Sequence, residues 1–370
     1  MTIAVAAGGS GGHLYPAISV IQELKKRNPS QDILLITDKR GWELATEVQN
    51  IARLHCISAL PFLGAKSVFS LAFWTSFAKS LAQSMRILQE SKPQCIIGFG
   101  GFVSFYPLIS GKWLRRKTAI HEQNAQLGLA NQVLSRWVDH VYYSMPNPDY
   151  SSRIKFQQTG LPIRLEFESK TQEEAREELK WPLHKKILLV VGGSQGSKVI
   201  NQTVLNMATQ YKKVLQKEWF IVHVFGRQHF ETMPWQAHVD PEFYQPVSYT
   251  SQMPLFLMAT DVVLTRGGSS TLHEISYLSK PSIIVPYPYA RAHQVHNARV
   301  MEKNHAAKVI LEPLFDENSL KSILCDIQSQ KIDLQAMSQA SESALQIKGR
   351  EVLADHIEHW MGKGQQNARV

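Results

Sequence analysis

Cysteine is scarce in this chain: Cys56, Cys95 and Cys325 are the three present in 370 residues. They are scattered, odd in number and form no CxxC pair, so a disulfide framework or zinc site is not expected and a reducing cytosol fits best. The start lacks a basic segment followed by a cleavable apolar run, and no signal peptide is expected. A spanning helix needs ~20 apolar residues, and no such run occurs. The nearest approach, 95–111, is uncharged but carries Gly98, Gly100, Gly101 and Pro107. It reads as a buried strand, a loop and a helix start. Low-complexity tracts and short-period repeats are missing too. So are two phosphate-binding signatures. Tested against G-x-G-x-x-G, the sixth position counted from Gly9 is Leu14, and the third counted from Gly8 is Ser10. G-x-x-x-x-G-K-[ST] does not occur. Nor is there a DxD-like carboxylate pair, so neither a metal nor another cofactor is expected.

What is present suits two α/β domains. The length exceeds one ordinary core, and 44% hydrophobic residues suffice to fill two. Forty Lys and Arg against 31 Asp and Glu leave a net charge of +9. That excess favours a polyanionic partner such as phosphates, nucleic acid or anionic headgroups, or marks an ordinary basic protein. No nucleic-acid recognition motif accompanies it, so no nucleic-acid partner is expected.

Two stretches share one design. Ile3–Ala7 is an apolar run followed by Gly8-Gly9-Ser10-Gly11-Gly12-His13 and a helical pattern through Pro16, Ile18, Val20, Ile21 and Leu24. Ile187–Val191 is followed by Gly192-Gly193-Ser194-Gln195-Gly196-Ser197 and a helical pattern through Val199, Ile200, Val204, Leu205 and Met207. Each reads as strand, glycine turn and helix, the opening of a βαβ domain with a parallel sheet. Further strands are expected at Ile33–Thr37, Cys95–Phe99, Thr118–His121 and His140–Tyr143, then at Trp219–Phe225, Asp261–Thr265 and Ser282–Val285. The expected domains are 1–160 and 161–340, with 341–370 a last helix and tail packing back across the junction.

Glycines let backbone approach a ligand closely, and the following helix offers unpaired N–H groups and a positive dipole end. The loop ending in Ser10, Gly11 and Gly12 therefore suits phosphate. His13 stands at a helix start, where a neutral imidazole is favoured; it serves either as general base or only as a hydrogen-bonding group of the turn. Asp38 occupies a place where a ribose-binding acid would follow a second strand, which leaves a dehydrogenase as a distant option. In the second loop, Ser194 and Gln195 join backbone N–H groups to offer a diphosphate site, or the glycines simply permit close packing. Thr265-Arg266-Gly267-Gly268-Ser269-Ser270-Thr271-Leu272-His273-Glu274 again combines glycines and hydroxyls at a helix start. Glu274 there can accept both hydroxyls of a ribose. Gln294, in His293-Gln294-Val295-His296-Asn297, can meet sugar hydroxyls. His121-Glu122-Gln123-Asn124 ends a strand of the first domain and is either a ligand-facing cluster or a polar loop. Loops at the carboxyl ends of parallel strands are where open α/β sheets bind ligands.

Taken in order, Gly8–His13, Gly100-Gly101-Phe102-Val103-Ser104, His121–Asn124, Gly160-Leu161-Pro162-Ile163-Arg164, Gly192–Ser197, Gly268–Glu274 and Gln294 resemble the MurG family. Its members are UDP-N-acetylglucosamine:lipid I N-acetylglucosaminyltransferases of bacterial peptidoglycan synthesis. The resemblance runs from Ile3 to about Gln346. It implies a GT-B architecture, α/β, with two Rossmann-like domains whose parallel sheets face a cleft. The first would take lipid I and the second UDP-GlcNAc. It further implies that His13 is the base and that Ser10, Gly11 and Gly12 line the diphosphate and acceptor side. Asn124 and Gln294 would contact GlcNAc, Arg164 and Ser194 the diphosphate, and Glu274 the ribose. Thr250 would stand where backbone reads uracil. Four positions depart from the pattern: Phe102 for a tyrosine, Phe105-Tyr106 for Gly-Pro, and Leu161 for an asparagine. Competing assignments are another GT-B glycosyltransferase with a different acceptor, a UDP-GlcNAc 2-epimerase, or a non-catalytic nucleotide-sugar binder.

An acceptor in a membrane implies a docking face on an anionic surface, at the cytoplasmic side of the bacterial inner membrane. Other cell-wall synthesis proteins become possible neighbours. A helix over 67–90 is expected to turn Leu71, Trp74, Ala78, Leu81, Met85 and Leu88 to the core. Phe69 and Phe73 fall off that stripe, near Lys66 and Lys79, and Trp113 precedes Arg115, Arg116 and Lys117. Aromatics beside cations make an interfacial patch, unless the phenylalanines pack under a loop.

Overall fold

The computed structural model describes every residue except 60–70, 194, 234, 236–239, 290–292, 346–347 and 363–370. Two compact units emerge, one of Met1–Arg164 with Gln346–Val370 and the other of Leu165–Leu345. In the first, the strands are β1 (Thr2–Ala6), β2 (Asp32–Thr37), β3 (Arg53–Cys56), β4 (Cys95–Gly98), β5 (Lys117–Glu122), β6 (His140–Tyr143) and β7 (Phe156–Gln158). They form one parallel sheet in the order β3-β2-β1-β4-β5-β6-β7. The second unit holds β8 (Lys186–Val191), β9 (Trp219–Val224), β10 (Tyr244–Val247), β11 (Val262–Thr265), β12 (Ser282–Ile284) and β13 (Ala307–Val309). Its parallel order is β10-β9-β8-β11-β12-β13.

A parallel sheet covered on both faces needs strands that are apolar throughout, not alternating. β1 is such a strand. Ile3 and Val5 face the helix Gly11–Arg27, packing with Leu14, Ile18 and Ile21, and the same core takes Leu353, Ala354 and Ile357 of the last helix, Gly349–Trp360. Ala4 and Ala6 face the helix Gly101–Trp113, packing with Val103, Tyr106 and Leu108. That helix lies close against its sheet: a Cβ on Gly111 would stand 2.3 Å from Ile96 Cδ1.

β3, β7, β10 and β13 are absent from the strands expected above, and each is a sheet edge. Edge strands are half solvated, so their sequences lose the continuous apolar run that marks a central strand. The helix Leu71–Ser91 also departs from expectation. Trp74 is 53% exposed, and Ala78 is exposed as well. The inward face carries Phe77, Ser80, Leu81, Ser84 and Leu88. Two small serines let the helix approach its neighbours, and the Ser80 hydroxyl is satisfied by the backbone oxygens of Ser76 and Ser58. Phe77 then packs on Tyr106 at 5.4 Å. Leu81 and Leu88 take the inward places expected of them, whereas Trp74 and Ala78 do not, because a hydrophobic count could not credit Ser80 and Ser84 with burial.

The last helix is pinned to the helix Gly11–Arg27 by charge as well as by packing. Buried Glu23 bonds Arg27 at 2.7 Å and lies 3.5 Å from the buried guanidinium of Arg350. Arg27 reaches Asp355 at 2.5 Å, and Arg350 donates to the Ile163 carbonyl at 3.3 Å. Removing Arg350 leaves Glu23 paired with Arg27 but strips its second carboxylate oxygen of this cation and the Ile163 carbonyl of this donor, and breaking a buried charge network costs up to about 3–5 kcal/mol. Arg350→Ala is therefore expected to lower stability in urea by roughly 3 kcal/mol; a loss below about 1 kcal/mol would mean the pair contributes little.

Candidate active site

In both sheets the strand order reverses beside the first strand of the unit, between β1 and β4 and between β8 and β11. At such a switch point the loops leaving two neighbouring strands diverge and open a crevice at their carboxyl ends. The glycine loops predicted from sequence follow β1 and β8 and stand at these two places.

In the first unit, Gly8 lies under Val103; a Cβ there would meet Val103 Cγ2 at 2.8 Å. Gly9 takes a left-handed φ of 51°. Asp38, at the end of β2, is almost wholly buried, and its carboxylate accepts the Gly9 N–H at 3.2 Å and the Gly41 N–H at 2.9 Å. This carboxylate therefore shapes the loop, where a dehydrogenase would turn it to a ribose. Ser10 is extended and exposed, and its carbonyl accepts the N–H groups of His13 and Leu14. Gly11 and Gly12 open the helix and are half-buried.

His13 is half-buried and lines a hollow of about 260 Å³ with Gly8, Gly9, Ser10, Asp38 and Arg40. Its Nδ1 lies 3.2 Å from Gln123 Oε1. Gln123 is buried after β5, with its Nε2 donating to the Phe99 carbonyl at 2.6 Å. Gly100 leaves room for the pair: a Cβ there would stand 3.0 Å from His13 Nδ1. The neighbouring Glu122, also buried, is a bracket. It accepts the Asn124 N–H and Nδ2 at 3.0 Å each, the Gly128 N–H at 2.9 Å and Asn131 Nδ2 at 2.8 Å. Asn124 is thereby held in one orientation, half-buried. Arg164 belongs to this unit too, with its guanidinium 4.3 Å from the ring of Tyr15.

In the second unit, Gly193 and Gly196 have φ of 99° and 78°. A Cβ on Gly196 would stand 1.8 Å from the Phe225 carbonyl oxygen, so only glycine fits. Gln195 is exposed. Ser194 falls outside the described residues. Ser197 caps the helix Lys198–Gln210 and accepts Arg266 Nη2 at 2.6 Å. Arg266, which follows β11, is 9% exposed; it also donates to the Val285 carbonyl at 3.1 Å and pairs with Glu312 at 2.5 Å. One guanidinium thus ties together the loops after β8, β11 and β12. Gly268 caps the helix Ser269–Tyr277, and nothing lies within 4 Å of where its Cβ would be. Glu274 is half-buried on that helix. Gln294, in the first turn of the helix His293–Lys303, accepts the Gly267 N–H at 3.2 Å and the Tyr287 N–H at 3.0 Å through Oε1. Those bonds fix its amide. Thr250 follows β10, with its hydroxyl accepting the Gln252 N–H at 2.9 Å. Among the described residues no group of three or more His, Cys, Asp or Glu is placed to hold a metal ion.

Of the proposed docking residues, Phe73 is half-buried against Trp74 at 5.6 Å and Phe77 at 6.2 Å. Trp113 is 58% exposed, Arg115 is exposed and Arg116 half-buried. Phe69 and Lys66 fall outside the described residues. Asp38 and Arg266 hold loops and Gln123 contacts His13, supporting roles that nothing in residue type or spacing distinguishes from touching a ligand.

Residues 3–143 match the glycosyltransferase family 28 N-terminal domain, and residues 187–357 match its C-terminal domain. The chain belongs to glycosyltransferase family 28. Among curated relatives, a protein of Alkaliphilus metalliredigens is 32% identical over 95% of this chain and 97% of its own length. One from Finegoldia magna is 33% identical over 92% of this chain and 93% of its own. Both are named UDP-N-acetylglucosamine–N-acetylmuramyl-(pentapeptide) pyrophosphoryl-undecaprenol N-acetylglucosamine transferase. The crystal structure of Acinetobacter baumannii MurG is 22% identical, covers 98% of this chain and 99% of that one, and superposes with a TM-score of 0.68, a likeness of fold. The family 28 architecture is GT-B, built from two parallel α/β sheets.

Behind the β8 loop of this family 28 domain lies His223, wholly buried. Asn201 Oδ1, 3.1 Å from Nε2, can only accept, so Nε2 carries the proton and the Tyr244 hydroxyl donates to Nδ1. No charged partner faces the ring in these bonds, and burial pushes its pKa down to about 3. Asn201 in turn donates to the Phe225 carbonyl, the atom against which Gly196 packs. The unfolded chain binds a proton at His223 below about pH 6.5 while the folded chain does not, so stability falls with falling pH from there toward about 3. His223→Gln is expected to flatten the slope of unfolding free energy, from urea titrations, against pH between about 6 and 4, by on the order of 1 kcal/mol per pH unit. An unchanged slope would mean the ring is already protonated in the fold.

Proposed function

We propose that the chain transfers N-acetylglucosamine from UDP-GlcNAc to the 4-hydroxyl of the MurNAc unit in undecaprenyl-pyrophosphoryl-MurNAc-pentapeptide, lipid I, to give lipid II. The observation that carries this reading is identity near 32%, sustained over 95% of the chain, to proteins named for that transfer. The loops at both switch points agree with it in chemistry, since their glycine-lined amides and helix starts suit phosphate groups.

In this reading the reaction is one inverting displacement. The acceptor oxygen bonds to C1 of GlcNAc as the C1–O bond to UDP breaks, and the bonding pair leaves on the phosphate. His13 takes the hydroxyl proton. Ser10, Gly11 and Gly12 meet the acceptor side, with Asn124 and Gln294 on the GlcNAc hydroxyls. Arg164 and the Gly192–Ser197 loop, Ser194 and Gln195 included, face the diphosphate. Gly268 gives the nucleotide space beside Glu274, which takes the ribose, and Thr250 marks the uracil end. Preorganised amides and a fixed guanidinium stabilise leaving-group charge without reorganising.

The test is transfer of labelled GlcNAc to a lipid I analogue with EDTA present. Wild type is expected to transfer. His13→Ala is expected to fold and bind UDP-GlcNAc yet lose roughly 10²-fold or more in kcat, the usual contribution of a general base. No transfer by a folded wild type that binds UDP-GlcNAc would redirect the search to other acceptors.

Among the described residues no helix is long and apolar enough to cross a membrane. We place the chain at the cytoplasmic face of the inner membrane as a peripheral protein, beside other cell-wall synthesis proteins. Docking on anionic lipid runs through Phe69, Phe73, Trp113, Arg115 and Arg116. Near such a surface each cation is worth about 1 kcal/mol. Arg115→Glu with Arg116→Glu should weaken binding to phosphatidylglycerol vesicles about tenfold or more, and unchanged binding would discard the patch.

A further inference from the structure

We propose that Gln123 is a positioning residue for His13, holding the imidazole as the Nδ1–H tautomer so that Nε2 is the nitrogen that takes the proton. The inference rests on the transfer reaction above and assigns the nitrogen that performs it. The argument starts from the Phe99 carbonyl, which can only accept. The amide nitrogen of Gln123 must therefore face it, and does so at 2.6 Å. That fixes the amide and turns Oε1 to His13 Nδ1, 3.2 Å away. Oε1 is also an acceptor only, so a neutral ring contacting it carries its single proton on Nδ1. Burial of Gln123 at 3% exposure keeps the amide from rotating into solvent. Gly100, at a φ of 91° that favours glycine, leaves the space between these groups that a Cβ would fill. Asp38 and Arg40 are the charged groups lining the same hollow, and they pair with each other at 3.4 Å.

The consequence is chemical. When the acceptor oxygen bonds to C1 and UDP departs, the hydroxyl proton moves to Nε2 and the ring becomes imidazolium. The Nδ1–H···Oε1 contact is then a charge-assisted bond, stronger than in the neutral ring. Gln123 thus acts twice, setting the tautomer before transfer and stabilising the cation formed during it.

The experiment uses the full chain labelled with ¹⁵N-histidine, with the His13 signals assigned by their loss in His13→Ala. At a pH where the ring is neutral, wild type is expected to show a protonated Nδ1 and an unprotonated Nε2. Gln123→Leu should shift the population toward Nε2–H. It should also lower kcat by roughly 10–100-fold, part of what a general base contributes, with KM for UDP-GlcNAc changed less than about twofold. A merely structural Gln123 would leave the tautomer where it was. If Gln123→Leu fails to fold, Gln123→Met carries the kinetic arm, and the wild-type spectrum needs no variant. A predominantly Nε2–H ring in wild type overturns the proposal, as does a folded Gln123 variant with wild-type kcat. Wild type that shows the Nδ1–H ring but transfers no GlcNAc would instead overturn the functional reading alone.

Discussion

Reversal of strand order in a parallel sheet is the constraint on which both units depend. β1 feeds a helix on one face of its sheet and β4 feeds a helix on the other, as the separate cores around Ile18 and around Tyr106 record. The two chains must part at the carboxyl ends of their strands, and the backbone exposed there has to turn sharply. Gly9, Gly100 and Gly101 do so in one unit and Gly193 and Gly196 in the other, all at positive φ. Loops so formed present amides instead of side chains, which suits them to phosphate oxygen.

Loops rich in glycine are entropically expensive to hold in one shape. Here the loops are braced by polar groups that are buried or, for Gln294, half-buried. Asp38 holds Gly9, Glu122 holds Asn124, Arg266 holds Ser197, and Gln294 holds Gly267. Rigid backing of this kind lets a site stabilise charge without first reorganising. The chemistry attributed to His13 depends on the same device, because the Phe99 carbonyl orients Gln123 and Gln123 orients the imidazole.

How much of this could be read from residues alone follows the same physics. Central strands were legible because burial on both faces forces an unbroken apolar run, and His140–Tyr143 coincides with β6 end to end. Edge strands such as Phe156–Gln158 were not, since solvent on one side removes that run. The two glycine loops were legible from composition and from their place between strand and helix. The braces were not. Asp38 stood in a position that suited ribose binding as well as loop support, and only the Gly9 and Gly41 amides at its oxygens separate the two. Trp74 shows the reverse error, an aromatic counted into the core that stands in solvent while Ser80 takes the inward place.

The central claim is that a nucleotide-sugar is held at the switch point of the second unit. Amide hydrogen exchange of the full chain with and without UDP-GlcNAc tests it most directly. Protection is expected in the Gly192–Ser197 loop, in Gly267–Glu274 and around Gln294, where amides and fixed side chains cluster after β8, β11 and β12. Protection confined to Gly8–His13, or none in the second unit at saturating nucleotide-sugar, would contradict the account.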